Sequence, residues 1–502
     1  MKKAIILAAG KGKRMKSELQ KVMHPILGKP IVQYVAEAAK NAGFDDITVV
    51  VGQDGGDIKN GLEANCGELF FAVQDEPLGT GHAVLAGATR IENDDDVIVL
   101  CGDMPLVTGD FIRELVAFGE KNPADAIVAA VWRDEIGDFG RVYDDDGDFV
   151  EIVEARDMRR AVPAHNFEGL SQQENRRLEH AIPEKNFREN SISRKKNFRE
   201  NSNSCEENFR AETNWGNTGI YLFKGVALLH GLKHMKNENS QNEYYLTDVP
   251  KILREEGRPV RVFHTRADMS VFTGINTQIH LAEAVSFMQK RVNERHMANG
   301  VRMVSPATVF IDDAVKIAPS VIYPNVILEG ACEIGAGAVI GAGSHLTDTI
   351  VGEGAFVRQS VTIGAKIGAH TEVGPFAYLR PGAEIGENCR IGNFVEVKNS
   401  KLGNGTKMAH LSYIGDADVG NGVNYSCGAI TANYDGAKKF RTTIGDNAFI
   451  GSNANLVAPV TIGDNAFVAA GSTITDDLPP CALGIARQRQ SVKPNWKRVG
   501  DS

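Results

Sequence analysis

The chain has 502 residues, of which 42% are hydrophobic and 24% are charged. This ordinary globular composition argues against a disordered or membrane-embedded protein, and the length predicts two or three domains rather than one. With 55 Lys and Arg against 64 Asp and Glu, the formal charge of -9 offers no general basic field for nucleic acid or anionic lipid. Any phosphate chemistry is therefore expected to be local.

The cysteines indicate a reducing compartment. The seven of them are scattered and include no C-x-x-C pair, which predicts neither a zinc knuckle nor a disulfide framework. A cytoplasmic protein is therefore expected. The apolar run Ala4–Ala9 is too short for a secretory signal, and no later run approaches the ~18 apolar residues of a membrane span.

The first 150 residues alternate short apolar runs with amphipathic segments. Continuous apolar runs of strand length indicate parallel strands buried on both faces, with helices between them. This pattern predicts a doubly wound α/β domain with a mainly parallel sheet, whose ligand lies beyond the carboxyl ends of the strands. The predicted strands are Ala4–Ala8, Ile47–Val51, Val97–Leu100 and Ala126–Val131, and the predicted helices are Ile31–Asn41 and Ala83–Arg90.

From about Ile334 onward, aliphatic residues recur at every sixth position, and 26 of the 52 glycines fall in the last 202 residues. A helix cannot keep a period of six on one face, whereas a triangular coil of three short strands buries one residue on each side. The pattern predicts a left-handed parallel β-helix of hexapeptide repeats. The repeated positions are Ile367, Val373, Leu379, Ile385, Ile391 and Val397, then Ile444, Ile450, Leu456, Ile462, Val468 and Ile474.

Two segments interrupt these patterns. The polar stretch Thr431–Thr443 breaks the six-residue rhythm and is expected to leave the coil as a loop, where solenoids build their sites. Residues 158–212 are rich in charge and Asn and repeat a single Phe every 11 residues, at Phe187, Phe198 and Phe209. One Phe per repeat is too little apolar surface to offset the entropy of ordering. We expect a low-complexity insertion, disordered or weakly helical.

Three segments of the first half carry phosphate chemistry. Leu7–Met15 follows a strand and precedes Lys21; it is neither a Rossmann fingerprint nor a P-loop, but its backbone N–H groups and cations suit a triphosphate. A surface turn with solvated lysines is the alternative. Gln74–Ala83 begins a helix after a strand, and Asp103 follows the strand Val97–Leu100. An Asp at such an edge is suited to hold Mg²⁺, unless it only caps a helix.

In the second half, Ala409–Tyr413 places His410 in the repeat region. A lone His in a sheet is more often a structural residue than a catalytic one.

The three N-terminal segments resemble the sugar-nucleotide pyrophosphorylases. Together with the hexapeptide half and the His410 segment, the resemblance narrows to the bacterial bifunctional N-acetylglucosamine-1-phosphate uridylyltransferases/glucosamine-1-phosphate acetyltransferases, and it covers nearly the whole chain except residues 158–212.

This resemblance implies a GT-A-like nucleotidyltransferase domain and a β-helical acetyltransferase domain. It implies acetyl transfer from acetyl-CoA to glucosamine 1-phosphate, then uridylyl transfer from UTP to N-acetylglucosamine 1-phosphate with release of pyrophosphate. Domain bounds of 1–277 and 300–502, with a linker helix over 278–299, are expected. The implied assembly is a homotrimer without nucleic acid or membrane insertion.

The resemblance also assigns a uridylyl site. Arg14 and Lys21 would offset phosphate charge, and Asp103 and Asn276 would be the Mg²⁺ ligands. The remaining contacts to UTP and sugar fall on Leu7, Ala8, Ala9, Gly10, Gln74, Gly79, Thr80, Cys101, Gly102, Gly140, Glu154 and Asn217.

In the acetyl site that the resemblance implies, His410 takes a proton from the glucosamine amine, and Glu396 orients or polarises the imidazole. The sugar-phosphate contacts fall on Arg380, Lys398, Tyr413, Asn424 and Lys439. The acetyl-CoA contacts fall on Cys427, Asn433, Tyr434, Ser452, Ala470 and Arg487.

The chain departs from the family pattern at a few positions. Cys101 stands where Tyr is usual, Lys13 where Thr is usual and Cys427 where Ala is usual. The insertion is the larger departure, because 62 residues separate Glu154 from Asn217, where the family has about a quarter as many. Two rivals remain open: a nucleotidyltransferase for another sugar with a non-catalytic trimerising β-helix, and a non-enzymatic assembly that reuses both domains.

Overall fold

The structure is a computed structural model that describes residues 1–133, 139–155, 213–237, 239 and 241–496. The predicted insertion at 158–212 lies outside the described residues. The strands before the linker are β1 (Lys2–Leu7), β2 (Pro25–Ile26), β3 (Lys29–Pro30), β4 (Asp46–Val51), β5 (Phe70–Val73), β6 (Asp96–Cys101), β7 (Ala126–Trp132), β8 (Arg141–Asp145), β9 (Asp148–Val153), β10 (Trp215–Lys224) and β11 (Val260–Thr265).

Helices cover both faces of the sheet that these strands form. They are α1 (Ile31–Asn41), α2 (Gly56–Cys66), α3 (Thr80–Gly87), α4 (Gly109–Lys121), α5 (Gly225–His234) and α6 (Asp248–Glu255), followed by the longer α7 (Gln278–Ala298). The apolar runs predicted as strands and helices in this half are confirmed.

The main sheet has the order β5-β4-β1-β6-β10-β7-β11-β9-β8. β1 pairs in parallel with β4 and β6, whereas β10 enters antiparallel between β6 and β7. Neighbouring residues of β1 face different cores: Ile6 packs with α1, α2 and α4, and Ile5 packs with α3, α5 and α6. Burial on both faces explains why these strands read as unbroken apolar runs.

The second half is a left-handed β-helix of short parallel strands. All twelve predicted repeat residues, from Ile367 to Ile474, are at most 4% exposed. The strands are β12 (Arg302–Met303), β13 (Phe310–Ile311), β14 (Lys316–Ile317), β15 (Val321–Ile322), β16 (Ile327–Glu329), β17 (Glu333–Ile334), β18 (Val339–Ile340), β19 (His345–Thr347), β20 (Ile350–Val351), β21 (Phe356–Val357), β22 (Val361–Ile363), β23 (Lys366–Ile367), β24 (Glu372–Val373), β25 (Tyr378–Leu379), β26 (Ala383–Ile385), β27 (Arg390–Lys398), β28 (Ser400–Leu402), β29 (Lys407–Gly415), β30 (Ala417–Val419), β31 (Asn424–Tyr425), β32 (Ile430–Ala432), β33 (Thr442–Ile444), β34 (Phe449–Ile450), β35 (Asn455–Val457), β36 (Val460–Ile462), β37 (Phe467–Val468), β38 (Thr473–Ile474) and β39 (Leu483–Gly484).

Successive coils are close to three hexapeptides long. Ile322 pairs with Ile340, Ile340 with Val357 and Val357 with Val373. One coil is longer, because Val419 pairs with Ile444. The extra residues of that coil form a loop over residues 433–441, between β32 and β33. The loop lies inside the predicted interruption at Thr431–Thr443, whose end residues belong to the two strands.

Helix α7 joins the two parts, and a polar cluster fastens the junction. Lys29 Nζ lies 2.8 Å from Glu37 Oε2 and 2.6 Å from Asp313 Oδ2, and Arg295 Nη1 lies 2.8 Å from Asp313 Oδ1. Gly28 has a φ of +81°, and a Cβ there would lie 2.7 Å from Asp312 Oδ2. The turn between β2 and β3 therefore needs glycine to approach the first coils.

Candidate functional site

The first cluster of predicted site residues lies at the carboxyl edge of the main sheet. β1 ends at Leu7 and β6 at Cys101, and the Gly102 amide donates to the Leu7 carbonyl at 2.9 Å. This bond sets the loop after β1 beside Asp103. The sheet topology thus brings Leu7, Ala8, Ala9 and Gly10 next to Gly102 and Asp103.

The glycine-rich turn packs directly on Lys21. Gly12 has a φ of +57°, and a Cβ there would lie 2.6 Å from Lys21 Cβ, so only glycine allows this contact. The buried Met15 anchors the turn, while Arg14 remains exposed. The turn therefore presents its cations outward over the sheet edge.

Lys21 links the two predicted metal ligands. Its Nζ lies 2.6 Å from Asp103 Oδ2 and 3.3 Å from Asn276 Oδ1. The Ile275 amide donates to the Asp103 carbonyl at 2.9 Å, which fixes Asn276 beside the Asp. Asp103 and Asn276, which lie 82 and 255 positions after Lys21 in the chain, thus both contact its ammonium group.

A second segment of the predicted nucleotide site is held rigidly. The buried Gln74 donates through Nε2 to the Gly79 carbonyl at 3.1 Å, and the same nitrogen lies 3.2 Å from His82 Nδ1. Thr80 Oγ1 accepts from the Leu246 amide at 3.1 Å. These bonds orient the start of α3 toward the loop that precedes α6.

The residues predicted to contact the sugar also come together. The Asn217 amide donates to the Gly140 carbonyl at 2.8 Å, and a Cβ on Gly140 would lie 3.5 Å from Glu154 Oε2. The Asn217 side chain donates to the Tyr221 hydroxyl at 2.8 Å. Burial and the Glu154 charge raise the pKa of Tyr221, so its hydroxyl stays protonated. Glu154 and Asn217, which flank the insertion in the sequence, therefore both lie beside Gly140.

An open cleft of about 650 Å³ adjoins these groups. Arg14 and Asn276 line it together with Arg133, Phe139 and His280. Cys101, which replaces the usual Tyr, contacts the Gly219 carbonyl with its thiol at 3.8 Å. Burial raises the pKa of this thiol to about 12, which excludes thiolate chemistry here.

The second cluster lies on the β-helix, where several predicted residues form a column along successive coils. Asn393 pairs with His410 in the ladder between β27 and β29. The next ladders pair Lys407 with Asn424 and Tyr413 with Ile430, which sets His410 opposite Cys427. By the same registers, Ser452 and Ala470 follow Cys427 in the column. Arg487 closes it, donating to the Ala470 carbonyl at 2.9 Å.

Beside the column stands a group of cations, Arg380, Lys398 and Lys439. Lys398 Nζ lies 3.9 Å from Asp416 Oδ2. The neighbouring Lys439 ammonium lowers the pKa of Lys398, as does the loss of water around it. Neighbouring ammonium groups repel each other, and an anion bound between them would relieve that repulsion.

The loop over residues 433–441 brings Lys439 to this group. Asn433 donates to Asp416, and Tyr434 pairs with Lys439 in an antiparallel bridge. Tyr434 is exposed. Tyr413 lies on β29 opposite Glu396, and Asn424 Nδ2 donates to Ser426 Oγ at 3.1 Å.

Comparison with known proteins decides the family. The MobA-like NTP transferase domain matches residues 4–178, and the bacterial transferase hexapeptide (six repeats) matches residues 364–399 and 441–476. The bifunctional protein GlmU of Brevibacillus brevis is 42% identical over 498 residues, covering 98% of this chain and 96% of the relative. That of Clostridioides difficile is 39% identical, covering 98% and 97%, and that of an Exiguobacterium species is 40% identical, covering 99% of both chains. The chain belongs to the GlmU family of bifunctional proteins.

Membership in the GlmU family confirms the predicted double activity. The chain is a bifunctional enzyme with uridylyltransferase and glucosamine-1-phosphate acetyltransferase activities in the synthesis of UDP-N-acetylglucosamine. Both matched repeat segments coincide with the two aliphatic runs read from the sequence. A non-enzymatic assembly is excluded, and a nucleotidyltransferase for another sugar is not favoured. No helix in the described parts of the chain is long and apolar enough to cross a bilayer.

The structure shows a different partner for His410 from the one that the sequence predicts. The sequence predicts that Glu396 orients His410, but Glu396 Oε1 accepts from Arg380 Nη1 at 2.8 Å. The partner of His410 Nδ1 is Asn393 Oδ1 at 3.0 Å. The physical reason is the ladder register, which sets Glu396 opposite Tyr413 and leaves Asn393 opposite His410.

Sequence reasoning also missed Asp416. Burial acts against its charge, but bonds from Asn399 and Asn433, with Lys398 and Lys439 nearby, outweigh burial and hold the pKa of Asp416 below its usual range. Asp416 thereby anchors the loop and one cation. Its only sequence signal is an acidic residue just before the predicted loop coil, which is too common to identify it.

Proposed function

We propose that uridylyl transfer takes place at the carboxyl edge of the main sheet. The observation that supports this most strongly is the Lys21 ammonium held between Asp103 and Asn276, beside the glycine-rich turn. UTP would lie over Leu7–Gly10 and the Gln74–Thr80 segment. The sugar phosphate would contact Gly140, Glu154 and Asn217.

Phosphoryl-type transfer needs mainly positioning and charge neutralisation. In this proposal, a phosphate oxygen of N-acetylglucosamine 1-phosphate attacks the α-phosphorus of UTP as pyrophosphate leaves. Arg14 and Lys21 stabilise the negative charge that develops on the phosphate oxygens. The turn at Gly10 exposes backbone N–H groups that would hold the phosphates in line.

We propose Mg²⁺ as the metal of this site. One carboxylate oxygen of Asp103 and one amide oxygen of Asn276 already approach a single cation, the Lys21 ammonium, and hard oxygen ligands suit Mg²⁺. When bound, Mg²⁺ would neutralise charge on the phosphate oxygens. Lys21 would then donate to the phosphates instead of pairing with Asp103.

We propose that acetyl transfer takes place along the His410 column. Arg380, Lys398 and Lys439 would hold the phosphate of glucosamine 1-phosphate, with Tyr413 and Asn424 beside the sugar. The amine nitrogen of the sugar would attack the thioester carbonyl of acetyl-CoA, and CoA would leave. His410 would take the proton from that amine. Cys427, Asn433, Tyr434, Ser452, Ala470 and Arg487 would hold the CoA moiety.

We propose that the active assembly is a homotrimer. Phe376, Phe394 and Leu411 lie on successive coils and are 53%, 58% and 59% exposed. All three have positive φ, of 60°, 57° and 32°, which bulky side chains rarely adopt. A strained, exposed apolar stripe beside His410 suits a contact with a neighbouring subunit. We also propose that the two domains span residues 1–277 and 300–502, with a linker helix over 278–299, and that the protein is cytoplasmic.

Two variants test the division of labour, and each is the folding control of the other. His410→Ala is expected to lower CoA release from acetyl-CoA and glucosamine 1-phosphate by roughly 10²-fold or more, the usual loss of a general base. Pyrophosphate release from UTP and N-acetylglucosamine 1-phosphate should be unchanged. Asp103→Asn should lower pyrophosphate release and leave CoA release unchanged. Acetyl transfer that stays within twofold in His410→Ala would refute the assigned role.

A further inference from the structure

A cluster of metal-ligating side chains lies on the outer surface of the first domain, and none of its residues is part of either proposed transferase site. His230 and His234 stand one turn apart on α5, and Glu256 follows the end of α6. One nitrogen from each imidazole and one carboxylate oxygen lie within 4.8 Å of one another. Among the described residues, no other group of three His, Cys, Asp or Glu side chains meets that distance.

The arrangement is prepared for a cation in two respects. His230 Nε2 lies 2.7 Å from Glu256 Oε2, so an imidazole and a carboxylate already face each other. His234 Nδ1 lies 2.9 Å from the His230 carbonyl oxygen. Because a carbonyl only accepts, Nδ1 carries the proton in that bond and Nε2 keeps its lone pair. Metal-binding histidines are commonly fixed in this way by a backbone carbonyl.

The distances require only small adjustments. Ligands ~2.1 Å from a tetrahedral ion lie roughly 3.4 Å apart. This value falls between the 2.7 Å of the His230–Glu256 pair and the 4.8 Å limit within which all three ligand atoms lie. His230 is partly exposed, and His234 and Glu256 are exposed, so an ion can reach all three side chains from solvent. The neighbouring Arg258 does not occupy the cluster, since its Nε donates to Asp125 at 2.6 Å.

We propose that His230, His234 and Glu256 bind a divalent transition-metal ion of the zinc type. Two imidazoles and one carboxylate are the donor set that Zn²⁺ favours over Mg²⁺, and water would complete the tetrahedron. The ion would link the end of α5 to the end of α6. Because α5 follows β10 directly, the link fastens the helices that support the sugar side of the cleft.

The experiment measures Zn²⁺ binding to the tag-free full chain by calorimetry, after chelator treatment and in excess Mg²⁺ to saturate oxygen-rich sites. Cys427 and Cys481 are exposed thiols, so both are replaced by Ser in every protein compared. We expect one zinc ion per chain. His234→Gln should weaken its binding at least tenfold and should abolish the rise in melting temperature that Zn²⁺ gives the parent.

The matched control is His345→Gln. His345 Nε2 lies 2.7 Å from Glu329 Oε2, the same distance as in the His230–Glu256 pair, but belongs to no group of three among the described residues. This variant should bind zinc like the parent. Equal loss in both variants, or a parent that binds zinc no better than His234→Gln, would overturn the proposal.

Discussion

The imidazole of His410 is oriented by an amide rather than by a carboxylate. Asn393 Oδ1 accepts at 3.0 Å from Nδ1, which leaves the lone pair on Nε2 when that bond forms. A general base needs its lone pair directed at the proton that it removes. Asn393 is therefore a positioning residue in the proposed acetyl transfer, and Glu396 instead fixes Arg380.

Replacing Asn393 with Ala should lower kcat for acetyl transfer by roughly tenfold, an effect of the size seen when groups that orient a histidine are removed. The KM for glucosamine 1-phosphate should change little, because the phosphate contacts lie elsewhere. Steady-state kinetics of CoA release would separate the two constants. A raised KM with an unchanged kcat would contradict the positioning role.

Cys427 supplies a chemical probe of the same column. Its thiol is exposed, and its register sets it between His410 and Ser452. Alkylation at this point should block acetyl transfer by filling the path proposed for acetyl-CoA, and acetyl-CoA should protect against it. The measurement is the residual rate of CoA release after treatment with an alkylating reagent.

Two single replacements complete that experiment. Cys427→Ala should remain active and resist the reagent, since Ala is usual in the family. Cys481→Ala, which removes the second of the two thiols exposed in the described parts of the chain, should remain sensitive. Inactivation that persists in Cys427→Ala would place the sensitive group elsewhere.

At the scale of the element, most strands of the β-helix bury one aliphatic side chain in the core, and a few bury a Thr or Tyr there, such as Thr362 in β22 and Tyr425 in β31. Leu456 in β35 is fully buried, whereas its neighbour Val457 is 37% exposed. The coil holds one side chain per corner, so a removed side chain leaves a void that the fixed turns cannot close.

Leu456→Ala should therefore destabilise the protein by about 3 kcal/mol, as expected for loss of a core Leu. Val457→Ala on the same strand should cost less than ~1 kcal/mol, because little apolar surface is removed from the core. Chemical denaturation followed by circular dichroism compares the two. Similar losses would mean that the repeat residues do not form the core.

At the scale of the whole molecule, a cluster of charges lies at the junction between the two halves, beside an apolar core that both halves share. Burial lowers the pKa of Lys29, but its bonds to Asp313 and Glu37 outweigh that and raise it. Burial likewise opposes ionisation of Asp313, but Lys29 and Arg295 hold its pKa below its usual range. The stabilisation from Asp313 is therefore complete above its unfolded pKa of ~3.9 and is lost as the pH falls through the lower, folded value.

Asp313→Asn should destabilise the protein at pH 7 by about 3 kcal/mol, since it leaves Lys29 with one partner fewer in a partly buried site. The difference from the parent should shrink below about pH 4, where Asp313 itself begins to protonate. Thermal unfolding over a pH series measures this. As a control, Glu333→Gln breaks an exposed pair with Lys316 and should cost under ~1 kcal/mol. A pH-independent difference would show that the charge of Asp313 is not responsible.

The exposed stripe of Phe376, Phe394 and Leu411 bears on assembly. Phe394→Glu puts a charge into the proposed subunit contact and should convert a trimer to a monomer in light scattering after gel filtration. Acetyl transfer should fall with it, if neighbouring subunits complete the site. Phe287→Glu, on the exposed side of α7, should leave the trimer intact. A trimer that survives Phe394→Glu would place the contact on another face.

Much of the fold was determined by local pattern. Burial of one residue in six and unbroken apolar runs are properties that short segments carry by themselves, and they specified the β-helix, the parallel strands and α1. Residue type and spacing suggested phosphate-binding segments at Leu7–Lys21 and Asp103, whereas only the family resemblance assigned a role to His410. The comparisons confirm the family and both activities, whereas the individual roles of these residues stay a prediction.

Only the tertiary structure decided which side chains meet. Coil lengths vary by a residue or two, and one residue of slip changes every partner across a ladder. That is why His410 faces Asn393 rather than Glu396, and why Asp416 anchors the loop. The contact between Lys29 and Asp313 depends on how the two halves of the chain pack against each other, and the zinc-type cluster depends on where α5 and α6 end. Neither arrangement follows from the pattern of either segment alone.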